Sequence, residues 1–189
     1  MDYCSIQDFH NALHDTGHFA TIRPHYIEGL CRTTHFAECR AVVESCDVLL
    51  HAPITNKAMA LAERAYAILH GERGELIGNF TILHRELNSH TSIILEDIPQ
   101  GEILESAMLT MSQEKLLSGL KEFEERMRRA DISHNNLRKQ NIVVDRNGYW
   151  HPIRLYYTTI GYGGDSRELE TLCAEIKRVA PVDDCLNEP

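Results

Sequence analysis

The chain has 189 residues, 43% of them hydrophobic and 25% charged, which is enough apolar side chain for a buried core and too short a chain for a repeat array or a large multidomain assembly. Its 28 acidic and 19 basic side chains give a net charge of −9, a field that repels phosphate backbones and anionic lipid and argues against nucleic acid or a membrane surface as partner. No apolar run approaches the roughly 18 residues of a membrane span, and Met1 to His10 lacks a signal-peptide pattern, so a cytoplasmic protein is expected. The six cysteines form no CxxC pair and no zinc-ligand spacing, and read as reduced thiols. The eleven histidines are scattered singly, so no metal site is expected.

In chain order, Phe19 to Ile22, Ala41 to Glu44 and Asp47 to His51 read as short strands separated by Pro24, Gly29 and polar residues. Thr55 or Asn56 caps a helix with Leu61, Ala65, Ile68 and Leu69 at helical spacing and Gly71 as its stop. Phe80 to Leu83 and Ser92 to Ile98 read as an antiparallel pair, the second a near-continuous apolar run suited to burial on both faces. Pro99, Gln100 and Gly101 break the pattern. Ser112 then caps a helix with the stripe Leu116, Leu120, Phe123 and Met127, and Arg126, Arg128 and Arg129 sit near its end, where cations favour the dipole.

Ile142 to Val144 and Tyr149 to Ile153 flank the turn chemistry of Asp145, Arg146, Asn147 and Gly148, a hairpin signature. Asp165 with Glu168 has capping-box spacing at the start of a helix that turns Leu169, Leu172, Cys173 and Ile176 inward. Tyr156, Tyr157 and Tyr162 are most simply core and rim packing. The order is that of an α+β chain, sheet-rich in its first half and helix-rich in its second, and a cleft between two such halves would suit a small ligand.

Three motifs in this order resemble the protein kinase fold. Ile93 to Leu104 looks like the last small-lobe strand, the hinge and the acidic residue after it. By that resemblance Leu95 is the gatekeeper, Glu96 to Ile98 the hinge whose backbone binds adenine, and Glu102 the ribose contact. His134, Asn135, Asn136, Leu137, Arg138, Lys139, Gln140 and Asn141 are similar to the catalytic loop HRDLxxxN, with His134 at the motif His, Asn136 at the catalytic Asp and Asn141 at the metal-binding Asn. Asp165, with Leu169, resembles the buried helix start that braces this loop. Val48 to His51 resembles the strand bearing the nucleotide-binding Lys, with His51 in its place, and Glu63 is the counterpart of the small-lobe helix Glu. The resemblance implies a two-lobed fold: a small antiparallel-sheet lobe with one helix over 1–96, and a short, mostly helical, truncated large lobe over 97–189. Taken one by one, Asn136 and Asn141 are also ordinary turn formers, Asp165 an ordinary N-cap and His51 an ordinary strand residue.

The departures set the functional expectation. Asn136 is an amide and cannot accept the substrate hydroxyl proton that the catalytic Asp of the family takes or orients. Counting on from Asn141 to the DFG Asp of the family reaches Ile153, Arg154 and Leu155, and Arg154 cannot ligate Mg²⁺. No GxGxxG lies near a strand, and only ten residues separate Arg154 from Asp165, leaving no room for an activation segment. The chain therefore reads as a catalytically degenerate, pseudokinase-like binding or scaffolding module rather than an enzyme. It requires no cofactor, and ATP enters at most as a weak, metal-independent ligand through His51, Glu63, Glu96, Ile98, Glu102 and Asn141. Its partner is an unknown protein, and self-association is expected if the shortened second half leaves apolar surface exposed. Two alternatives stay open: a small-molecule phosphotransferase of the aminoglycoside or choline type using Asp131, Asp145 or Glu102 as base, and a ligand-free structural protein.

Overall fold

The computed structural model describes residues 28–32, 36–43, 46–53, 55–70, 80–83 and 93–179. Among them the chain is α+β, with small antiparallel sheets and four α-helices, the class expected from the sequence. It divides into two compact units, one comprising residues up to Ile98 together with Arg154–Tyr157, the other 99–153 and 158 onward. These units divide after Ile98, against an expected lobe boundary after Glu96, and a short later segment groups with the first unit.

In the first unit, β1 (Glu28–Arg32), β2 (Phe36–Val43), β3 (Cys46–Pro53), β4 (Phe80–Leu83) and β5 (Ile93–Asp97) form one sheet in the order β1-β2-β3-β5-β4, every neighbouring pair antiparallel. The expected strands near Ala41 and Asp47 prove to be one long hairpin, running from Val43 opposite Cys46 to Phe36 opposite Pro53. The proposed strand Phe19 to Ile22 and the stop at Gly71 lie outside the described residues. β5 is an interior strand, flanked by β3 and β4, but the expected burial on both faces is corrected: Ile94 and Glu96 are buried while Leu95 and Asp97 are partly exposed, the alternation of a sheet covered on one face. Helix α1 (Asn56–Leu69) starts where Thr55 Oγ1 accepts the Ala58 N–H at 3.1 Å. It buries Ala58, Ala62, Ala65, Ile68 and Leu69, an apolar stripe, and the helix packs against the segment Leu155–Tyr157, β4 and β3. Phe36, Leu50, Ile94 and Tyr156 fill this core.

In the second unit, β6 (Glu102–Ile103), β8 (Ile142–Val144) and β9 (Trp150–Pro152) make a three-stranded sheet, and β7 (Ile132–Ser133) pairs with β10 (Thr159–Ile160). Helix α2 (Leu104–Thr110) escaped the sequence reading because it is only seven residues long and has no side-chain cap. Helix α3 (Gln113–Ala130) begins with Ser112 Oγ accepting from Lys115 N and ends in the left-handed Asp131, and it buries the expected stripe of Leu116, Leu120, Phe123 and Met127. Its basic end is helix support: Arg126 pairs with Glu122, while Arg128 and Arg129 pair with Glu125. The β8–β9 turn is organised by Asp145 Oδ1, which accepts from the N–H groups of Asn147 and Tyr149. Helix α4 (Ser166–Val179) turns Leu169, Leu172 and Ile176 inward. Cys39, Cys46 and Cys173 are free thiols. Among the described residues no helix is long and apolar enough to cross a membrane.

Candidate functional site

In the first unit the hairpin register sets Glu38 of β2 directly opposite His51 of β3. His51 in turn faces Ile94 of β5, so Glu96, two residues on, shares that face of the sheet. His51 is fully buried, with Nδ1 3.6 Å from Glu38 Oε1 and Nε2 3.1 Å from Glu96 Oε2. The segment Arg154–Tyr157 closes the cluster. The N–H groups of Arg154 and Leu155 donate to Glu96 at 2.5 and 3.1 Å, Arg154 Nε donates to Glu38 at 2.9 Å, and the Tyr156 hydroxyl donates to Glu38 Oε1. Tyr156 also stacks on Phe36, with ring centroids 3.9 Å apart.

Burial alone would raise the Glu38 carboxyl pKa. The hydrogen bond and charge of His51, with Tyr156 and Arg154, outweigh it and bring the pKa down to about 2. Burial likewise disfavours the His51 cation, but hydrogen bonds and charge from Glu38 and Glu96 prevail and raise it. The Tyr156 phenol is pushed up by burial and then by Glu38. The cluster thus sets the two acids Glu38 and Glu96 against His51 and Arg154 inside one unit, with His51 Nε2 within hydrogen-bond distance of Glu96 and Nδ1 farther, at 3.6 Å, from Glu38.

This geometry corrects several expectations. His51 is no phosphate ligand, because carboxylate oxygens stand before both of its ring nitrogens. Glu63 is exposed on α1, off the inward stripe, and the acids that meet His51 are Glu38 and Glu96. The Glu96 side chain is buried and anchors the N–H groups of Arg154 and Leu155. The Ile98 N–H is already given to the Asp47 carbonyl at 2.8 Å. Arg154 turns to Glu38 rather than lying ready for a phosphate.

In the second unit the loop from Ser133 to Asn141 is held from α4. Asp165 Oδ2 and Oδ1 accept the N–H groups of His134 and Asn135 at 2.5 and 2.6 Å. The capping expectation for Asp165 is corrected in part: its backbone carbonyl accepts from Leu169 N at 2.9 Å, while its carboxylate braces the loop. Burial pushes that carboxyl up, against the opposing effect of the two backbone donors. His134 is buried, with Nε2 2.9 Å from the Ile153 carbonyl. Asn141 Nδ2 donates to the Asn136 carbonyl at 2.8 Å. Of the three candidate bases, Asp131 Oδ1 accepts from Tyr162 N, Asp145 Oδ1 accepts within its own turn, and the exposed Glu102 accepts from the Thr110 hydroxyl. Residues 135–140 and one face of α4 bound an open groove of about 490 Å³. Among the described residues no His, Cys, Asp and Glu group could hold a metal ion.

The structure therefore gathers His51, Glu96 and Arg154 in the first unit and His134, Asn136 and Asn141 in the second, and leaves Glu63 and Glu102 at the surface. Sequence reasoning missed Glu38 and its bond to Tyr156. The signal was a lone acid in the apolar run of β2, five residues back from Val43 as His51 is five on from Cys46, its hairpin partner.

Many solved structures resemble the chain, two crystal structures of WbdD among them. A 2.2 Å crystal structure of WbdD matches with a TM-score of 0.55 at 9% identity, covering 80% of this chain and 37% of that one. The likeness is one of fold. Monomeric WbdD matches with a TM-score of 0.57 at 12% identity, covering 74% of this chain and 37% of that one, so the chain spans well under half the length of either WbdD chain. No protein-family model matches the sequence, and no curated protein matches it.

Proposed function

We propose that this chain is a catalytically degenerate kinase-like protein, its first unit corresponding to the small lobe and its second to a shortened large lobe, acting as a protein-binding module. The observation that carries this reading is the engagement of Arg154. The position at which the kinase resemblance demands a metal-binding acid holds a cation, and that cation is paired with Glu38 at 2.9 Å. His51, at the position of the phosphate-binding Lys, is likewise consumed by Glu38 and Glu96. In the loop, Asn136 offers an amide where general-base chemistry needs a carboxylate. Side chains that would hold Mg²⁺ and triphosphate have become structural ties.

The test is an ATP titration followed by thermal stability, with and without Mg²⁺, since a ligand of the folded state raises Tm by mass action. Magnesium adds nothing to any shift on this reading. A shift that requires magnesium and disappears in Asn141→Ala contradicts it.

A further inference from the structure

The turn that joins β8 to β9 contains Asn147 followed by Gly148, the only Asn-Gly pair in the sequence. We propose that Asn147 is a site of spontaneous deamidation, with water as the co-reactant, and that Asp145 is the latch that sets its rate. Glycine offers no side chain to hinder attack of its own nitrogen on the side chain before it. It stands there because the turn needs it: Gly148 has a φ of 90°, a conformation that residues with a Cβ rarely adopt. Asn147 is exposed, and among the described residues no hydrogen bond holds its side-chain amide. The asparagines of the loop before β8 differ. Asn135 Nδ2 donates to the Ser133 carbonyl and the Thr159 hydroxyl, and Asn141 Nδ2 donates to the Asn136 carbonyl, while Asn136 is followed by the bulky Leu137.

The Gly148 nitrogen gives its proton to solvent base and attacks Asn147 Cγ. The N–Cγ bond forms, the Cγ–Nδ2 bond breaks, and Nδ2 leaves as ammonia after taking up a proton. Water then opens the cyclic imide, at Cγ to give isoaspartate's isomer aspartate or at the main-chain carbonyl to give isoaspartate, and nothing is oxidised or reduced. Either product carries a carboxylate two residues from Asp145, and isoaspartate also lengthens the main chain of the turn by one methylene.

The native turn restrains the nucleophile. The Gly148 N–H donates to the Asp145 carbonyl at 3.0 Å, and the N–H groups on either side, of Asn147 and Tyr149, donate to Asp145 Oδ1 at 2.8 and 3.0 Å. The Lys115 side chain lies over Gly148, with Nζ donating to the Arg146 carbonyl at 3.0 Å. Attack therefore proceeds from the fraction of molecules in which the turn has opened locally, and loss of the Asp145 carboxylate enlarges that fraction.

Peptide mass spectrometry of the full chain tests this after incubation in mildly alkaline buffer and digestion in acid, reading the gain of one dalton and the isoaspartate isomer at residue 147. In the wild type Asn147 converts ahead of Asn135 and Asn141. Asp145→Ala, which removes two hydrogen bonds, speeds conversion at Asn147 about threefold or more. Asp145→Asn retains an Oδ1 acceptor and stays close to the wild-type rate, and Asn147→Gln abolishes the gain. Asn135 and Asn141 serve as internal standards, since local opening speeds Asn147 alone. No gain at Asn147 in the wild type, or a gain no sooner than at the other two, overturns the inference. So does an equal rate in Asp145→Ala, or an acceleration there that Asn135 and Asn141 share.

Discussion

Glu38 accepts hydrogen bonds from Arg154 Nε and from the Tyr156 hydroxyl, residues 116 and 118 positions later in the chain. These bonds, with the two that Glu96 accepts from the backbone, tie a three-residue segment to the sheet of the first unit. Glu38→Ala leaves His51 and Arg154 facing one fewer acid. It lowers stability by about 3 kcal/mol, the low end for breaking a buried ion pair, because the Arg154 side chain retains 26% exposure and water takes up part of the loss. Tyr156→Phe removes a single bond to a charged acceptor and costs about 1.5 kcal/mol. Urea denaturation orders the two variants.

The same cluster makes stability depend on pH from both sides. The His51 pKa is raised above its ordinary 6.5, so its contribution is complete below pH 6.5 and is lost as pH rises through the raised value. Glu38 is lowered from 4.5 to about 2, so its contribution is complete above pH 4.5 and fades as pH falls toward 2. Urea midpoints therefore drop at both ends. His51→Gln flattens the alkaline limb, and Glu38→Gln the acid one. Nitrogen NMR of the wild type checks the first limb independently, since the ring is expected to titrate above the range of a free imidazole.

Asp165→Ala strips the acceptor from the buried His134 N–H and costs about 1–3 kcal/mol, with Asp165→Asn smaller because one oxygen remains. Hydrogen exchange at the His134 amide accelerates in the same order. Were Asp165 only a helix cap, exchange would instead quicken in the first turn of α4 and leave His134 protected.

Gly119→Ala tests a close approach in the second unit. A Cβ there runs into the Gly148 carbonyl and the Trp150 indole nitrogen, overpacking that costs about 1–3 kcal/mol. Helix propensity returns at most about 1 kcal/mol, so the net effect is destabilising. The single tryptophan, Trp150, reports it by fluorescence.

The three longer helices and the β8–β9 hairpin were legible because each carried a local signal, whereas the short, uncapped α2 carried none. Thr55 and Ser112 cap α1 and α3 as their sequence positions indicate, and the Asp145–Gly148 turn closes its hairpin. The polar cluster was not legible. Glu38, Glu96 and Tyr156 are brought together by register and by the return of residues 154–157 to the first unit, long-range facts that no local window contains. Glu96 beside Asp97 at the end of an apolar run looked like the entry to a linker, whereas its side chain turns inward because three donors await it. Glu63 failed as a partner for His51 for a simpler reason: the alanine stripe at 58, 62 and 65 faces the core and turns residue 63 to solvent.

The central claim is that the positions a kinase devotes to metal and proton transfer have become structural here. Phosphate release from ATP, measured with and without Mg²⁺ on the intact chain, tests it most directly. The account predicts release at the buffer rate in both cases. Magnesium-dependent turnover that Asn136→Ala abolishes would contradict it.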